Sequence, residues 1–135
     1  MKTITRTLGS ILLVFHGLIH LMGMAVYLQL TEIEGLAYQT ALVNGRWDVG
    51  VGGIAFFGVL WAAAGGGFIT AGVIWLVRKT APRILLVGTS LFSLVLTLLD
   101  FDRAYTGSLV SGVIFILLLL KPWLEKPELP SAEPK

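Results

Sequence analysis

The chain has 135 residues and no cysteine, which excludes disulfides, thiolate metal sites and cysteine nucleophiles. Charge is scarce too: Asp, Glu, Lys and Arg make up 13% of the residues, about half the usual share in a soluble domain. No charged residue stands between Arg6 and Glu32, and histidine occurs only as His16 and His20. There is no GxSxG, so no nucleophile elbow is marked. The glycine run AAAGGGF at 62–68 lacks the following Lys and Ser or Thr of a phosphate-binding loop. Ten basic residues against eight acidic ones leave a net charge of +2, dispersed over short segments and forming no stripe. That pattern argues against a nucleic-acid partner.

What the chain does have is apolar length. Hydrophobic residues make up 56% of it and the mean hydropathy is +0.85, outside the range of a soluble domain. Four apolar segments predict an all-α, polytopic membrane protein. It is a four-transmembrane-helix bundle in one domain over 1–123, with spans near 5–29, 49–77, 82–99 and 105–122. A hydrocarbon core of about 30 Å needs roughly 20 helical residues. The third and fourth segments reach that length only if Ala81, Pro82, Tyr105 and Trp123 lie near the interfaces. The first follows a basic start, but it is longer than a signal core and HLMGMAVYL offers no small-residue cleavage site, so it reads as a retained span. Residues 124–135 are charged and proline-rich, the composition of a disordered tail.

The second segment is long and rich in glycine. Each glycine weakens a helix by roughly 1 kcal/mol relative to alanine in water-based scales, so the run Gly65, Gly66 and Gly67 raises the question of a local unwinding. Lipid requires the backbone to stay paired. The expectation is therefore that Gly58, Gly65, Gly66 and Gly67, with Gly17 and Gly23 of the first span, are helix-packing positions that let neighbours approach closely.

Lysine and arginine orient the bundle. With a cytoplasmic amino terminus, that side holds Lys2, Arg6, Arg78, Lys79, Arg83, Lys121, Lys126 and Lys135, and the opposite side holds Arg46 and Arg103. Eight against two predicts a multi-pass protein of the cell membrane with both termini cytoplasmic. In the largest connection, Ile33, Leu36, Ala37, Thr40 and Ala41 are expected to form a short face resting on the bilayer surface. NGR is expected to turn the chain, and Asp48 to cap the second helix.

His16 and His20 are four residues apart, which places both rings on one side of a helix together with Leu13, Gly23 and Tyr27. A buried imidazole needs partners for its ring nitrogens. Ser90, Ser93, Thr97, Ser108 and Ser111 of the last two spans are available to supply them. The intervening Gly17, Leu18 and Ile19 lack the glutamate of an HExxH zinc site, and two ligands on one helix face cannot take both axial positions of one haem. The turn LLDFDRAYTG at 98–107 brings Asp100, Asp102 and Arg103 to the outer end. Asp102 is a candidate to orient His20 if that turn folds inward.

HGLIHLMG, with DFDRAYTG before the last span, resembles a group of small bacterial and archaeal four-helix integral membrane proteins. Their first helix carries HGLIHLxG, and their last helix follows a DxxxxG-like turn, matched here by Asp102 and Gly107. The format is similar, more loosely, to DoxX-like membrane proteins, some of which are associated with quinone-linked redox systems. The resemblance implies a four-helix membrane fold and a cell-membrane location, supplies no reaction, and marks His16, His20, Gly17, Gly23 and Asp102 as positions of interest.

Three functional expectations follow. The first is a structural or accessory subunit, with membrane lipids and a membrane-protein partner or a second copy as its neighbours. The second is a redox-linked protein holding haem, metal or quinone near His16 and His20, with Asp102 as a further ligand-site residue. The third is a small transporter, which lacks the central acidic group that proton coupling needs in the first span.

Overall fold

The computed structural model describes residues 2–78 and 80–124. The expected disordered tail lies outside the described residues, apart from its first residue, Leu124, which closes the last helix. The chain is all-helical: α1 (Lys2–Tyr27), α2 (Gly50–Arg78), α3 (Arg83–Leu99) and α4 (Phe101–Leu124), with a two-stranded ribbon of β1 (Ala41–Leu42) and β2 (Trp47–Asp48) between α1 and α2. Three helices, α1, α2 and α4, are long and apolar enough to cross a membrane. α3 has 17 residues, a length of about 26 Å.

α1 stops at Tyr27, two residues short of the expected end, because the chain turns left-handed at Gln29 (φ 54°). Leu30 N–H donates to Ala25 C=O at 2.8 Å and Gln29 N–H to Val26 C=O at 3.0 Å. These are the two bonds of a Schellman termination, which satisfies the last helical carbonyls.

The 31–48 connection, expected to rest on the bilayer surface, contains the short ribbon of β1 and β2. Val43, Asn44 and Gly45 all have positive φ (52°, 57° and 76°), a run that reverses the chain and pairs Ala41 with Asp48 and Leu42 with Trp47, antiparallel. Positive φ is uncommon for a β-branched residue. Val43 is held in it by its N–H, which donates to Leu99 C=O at 2.8 Å and fastens the ribbon to the end of α3. Asp48 Oδ1 accepts from Gly50 N–H at 2.9 Å, the expected lead into α2. That bond holds the Asp48 carboxyl below its ordinary value.

α2 stays helical through its eight glycines, with no unwinding at Gly65–Gly67. A Cβ built on Gly17 would lie 2.6 Å from Gly65 C=O, and one on Gly65 would lie 2.8 Å from Gly17 C=O. The two backbones therefore touch, and only glycine fits on either side. Gly23 fits under Trp61, Gly58 against Tyr27, and Gly67 against Thr89 of α3. Gly66 corrects the expectation: it is exposed and faces open space, because three consecutive helical residues point in three directions.

α4 begins at Phe101, four residues before the expected start, with one turn preceding a kink at Ala104 (φ −111°, ψ 20°). Arg83 Nη2 donates to Leu118 C=O at 3.3 Å, so the start of α3 lies beside the later part of α4. α1 packs mainly on α2, and α3 packs on α2 and α4, whereas α1 and α4 scarcely meet. A cleft is left between them. Two apolar clusters fill the interior, one around Tyr27, Leu42, Ile54, Phe57, Trp61 and Leu96, the other around Leu13, Phe68, Ala71 and Leu86. Along α1, His16 and His20 fall between them.

Candidate functional site

His16 and His20 are buried, 5% and 1% exposed, on the face of α1 that the i,i+4 spacing predicts. Leu13 and Tyr27 of the same face are buried as well. The His16 ring meets Phe68 edge-on at 4.6 Å between centroids, and the His20 ring lies 5.0 Å from Trp61. α2 thus supplies an aromatic wall on one side of the pair, while α3 and α4 supply the polar side.

Four side chains form one hydrogen-bonded chain. His16 Nε2 lies 3.1 Å from Ser111 Oγ, Ser111 Oγ lies 2.8 Å from Ser93 Oγ, and Ser93 Oγ lies 2.7 Å from His20 Nε2. His20 Nδ1 donates to His16 C=O at 3.0 Å, one helical turn back. Ser93 and Ser111 are fully buried. Among the described residues no carboxylate bonds to either ring, and uncharged imidazoles are what such surroundings favour. Of the five hydroxyl residues expected as partners, Ser93 and Ser111 are the ones that serve. Thr97 bonds back to Ser93 C=O, Ser108 bonds back to Ala104 C=O, and Ser90 Oγ is buried without a partner among the described residues.

Toward the ribbon end lies a second polar group. The Tyr27 hydroxyl donates to Asp100 Oδ2, and Arg103 Nη1 lies 3.5 Å from both the Tyr27 hydroxyl and Asp100 Oδ1. Asp100 is 4% exposed. Burial pushes its carboxyl above the ordinary value, opposed by the Tyr27 hydroxyl and the Arg103 guanidinium. A cavity of about 320 Å³ joins this cluster to the histidines, lined by His16, His20, Tyr27, Thr97, Asp100 and Arg103 among others.

Asp102, the carboxylate expected beside His20, is exposed and makes no hydrogen bond or ion pair among the described residues. The carboxylate on the histidine side is Asp100. The α3 pattern Ser90, Ser93, Thr97, Asp100, spaced by three, four and three, is one polar stripe of a helix, and it is the signal that distinguishes Asp100 from Asp102. Tyr27, expected only as a neighbour on the histidine face, becomes a member of the site.

The cleft between α1 and α4, about 570 Å³, is apolar apart from two groups, the Trp75 indole and His16. His16 therefore borders both spaces. Among the described residues no group of three or more His, Asp and Glu is placed to hold a metal ion, and both Nε2 atoms already face serine hydroxyls. No protein-family model, curated protein or solved structure matches the chain.

Proposed function

We propose that the chain is a cell-membrane protein of four spans that binds a lipid-soluble small molecule of the quinone class, its tail in the α1–α4 cleft and its polar head against His16. The single observation that carries this reading is that an apolar cleft of ligand size ends on one buried imidazole. Pockets for small molecules are mostly apolar with few placed polar groups. Leu12, Leu109, Val113 and Leu117 supply the apolar lining.

The membrane placement rests on the apolar exterior, where Leu12, Phe15, Phe56, Leu98 and Leu109 are among the large side chains more than half exposed, and the eight-to-two distribution of lysine and arginine supports cytoplasmic termini. α3 at about 26 Å is shorter than the roughly 30 Å hydrocarbon core, a mismatch that local thinning absorbs at modest cost.

The test is a titration of decylubiquinol, kept reduced throughout, into the protein in lipid nanodiscs, read by quenching of tryptophan fluorescence, because Trp75 lines the cleft and Trp61 packs on His20. Saturable quenching that His16→Phe abolishes supports the reading. Quenching that rises linearly and equally in both proteins is partition into lipid and rejects it.

A second reading, an accessory subunit of a membrane complex, is favoured by α4. It buries 17% of its apolar window, against 39% for α1 and 44% for α2, and so offers the largest helix face to another membrane protein. Photo-crosslinking from Val113 and Leu120 in native membranes tests it, a discrete heterologous adduct supporting it and lipid adducts alone opposing it.

A further inference from the structure

The hydrogen-bonded chain has a direction, and it ends on His16, which lines the cleft. A carbonyl oxygen only accepts, so His20 Nδ1 must carry the hydrogen that meets His16 C=O at 3.0 Å. A neutral imidazole has one ring hydrogen, so His20 Nε2 is a lone pair, and the 2.7 Å contact requires Ser93 Oγ–H to donate to it. Ser93 has spent its only hydrogen. The 2.8 Å contact between the serines must then run from Ser111 Oγ–H to Ser93 Oγ. Ser111 has in turn spent its own, so His16 Nε2–H donates to Ser111 Oγ at 3.1 Å. His16 has therefore used its one hydrogen on Nε2, and Nδ1 is left as a bare acceptor.

That nitrogen has no partner among the described residues, and it is not one of the sealed, unpaired polar atoms, which are Arg6 Nε, Ser10 Oγ, Trp61 Nε1 and Ser90 Oγ. We infer that the Ser111–Ser93–His20 chain makes His16 Nδ1 an obligate hydrogen-bond acceptor, so that the site selects ligands whose head donates a hydroxyl hydrogen, a phenol or quinol, over the matching ether or quinone. Ser111, Ser93 and His20 are positioning residues, acting on the ligand through His16. A relay carrying protons onward from His16 does not fit the same geometry, because both nitrogens of His20 end on fixed protein partners. The inference rests on the ligand-binding reading above and names the chemistry its ligand must have.

Selectivity of this kind is strong when a buried acceptor would otherwise go unpaired. The test compares 4-octylphenol with 4-octylanisole, in which a methyl replaces the hydroxyl hydrogen, by calorimetric titration of the whole protein in nanodiscs, the Ser111 variants separating loss of the donor from the added bulk. The expected result is phenol binding about tenfold tighter than anisole binding, the effect of one buried hydrogen bond. The preference falls to within about twofold in Ser111→Ala and is retained in Ser111→Thr, which keeps the hydroxyl. Nitrogen-15 spectra of the two labelled histidine rings report the tautomers in the same samples and show whether each variant keeps its folded site. Equal binding of both probes to the wild type, or His16 protonated on Nδ1, overturns the inference and leaves the ligand-binding reading standing. Binding of neither probe overturns both.

Discussion

Ser93 on α3 and Ser111 on α4 lie with their hydroxyl oxygens 2.8 Å apart, and each also bonds one of the two histidines of α1. One pair of hydroxyls thereby ties three helices together and gives the two imidazoles different roles.

The first prediction concerns the tautomers themselves. In a chain with two histidines, nitrogen-15 spectra contain four ring signals. His16 is expected as the Nε2–H form and His20 as the Nδ1–H form at neutral pH. Finding the same tautomer on both rings would contradict the directed chain.

Removing either hydroxyl strands a buried ring nitrogen. Ser111→Ala leaves His16 Nε2–H without its acceptor, and Ser93→Ala leaves His20 Nε2 without its donor. Each is expected to lower stability by about 1–3 kcal/mol. The double variant should lose less than the sum, because the serines also bond each other. Denaturant unfolding in detergent measures all three.

The α1–α2 contact predicts a contrast among adjacent glycines. Gly65→Ala drives a methyl into Gly17 C=O, which is backbone and cannot swing aside. A loss of about 1–3 kcal/mol is expected from such overpacking. Gly66→Ala meets nothing, and should be neutral or stabilising by up to about 1 kcal/mol through helix propensity. Thermal unfolding of the two variants side by side decides the matter.

Asp100 gives the fold a pH dependence. Burial raises its carboxyl above the ordinary value of 3.8, the Tyr27 hydroxyl and Arg103 guanidinium lower it, and the Asp102 charge adds a small raising effect. A carboxyl raised in the folded state contributes stability that is fully present below its unfolded value and lost as pH rises through its folded value. Thermal midpoints should therefore fall as pH is raised from the ordinary carboxylate range into the region above it. Asp100→Asn removes that slope. Asp102→Asn keeps it, diminished only by the loss of its repulsion on Asp100.

An absorption spectrum and metal analysis of the purified protein bear on the haem and metal expectations. Because both nitrogens of His20 are engaged and His16 offers Nδ1 alone, with no group of three ligands among the described residues, the expected preparation is colourless and without stoichiometric metal, and His16→Ala with His20→Ala leaves the spectrum unchanged. A Soret band lost in that double variant would make the histidines ligands and set the quinone reading aside.

Much of the protein follows from local pattern. The four apolar runs, the shared face of His16 and His20, the Asp48 lead into α2 and the charge asymmetry between the two ends all depend on residues near one another in sequence. Helical periodicity and side-chain transfer energies translate such patterns directly. Tertiary structure decided the rest. Which of five hydroxyls meet the histidines depends on how α3 and α4 are rotated against α1, a relation between segments more than seventy residues apart. The choice of Asp100 over Asp102 follows from the stripe that α3 turns inward, and from a chain that restarts as α4 at Phe101 before kinking at Ala104. Gly66 differs from Gly65 only through the direction it faces. The ribbon in the 31–48 connection depends on the bond from Val43 N–H to Leu99 C=O, which no local propensity contains. The unclosed seam between α1 and α4, where His16 borders the cleft, exists because α1 spends its contacts on α2, where Gly17 and Gly65 bring the backbones together.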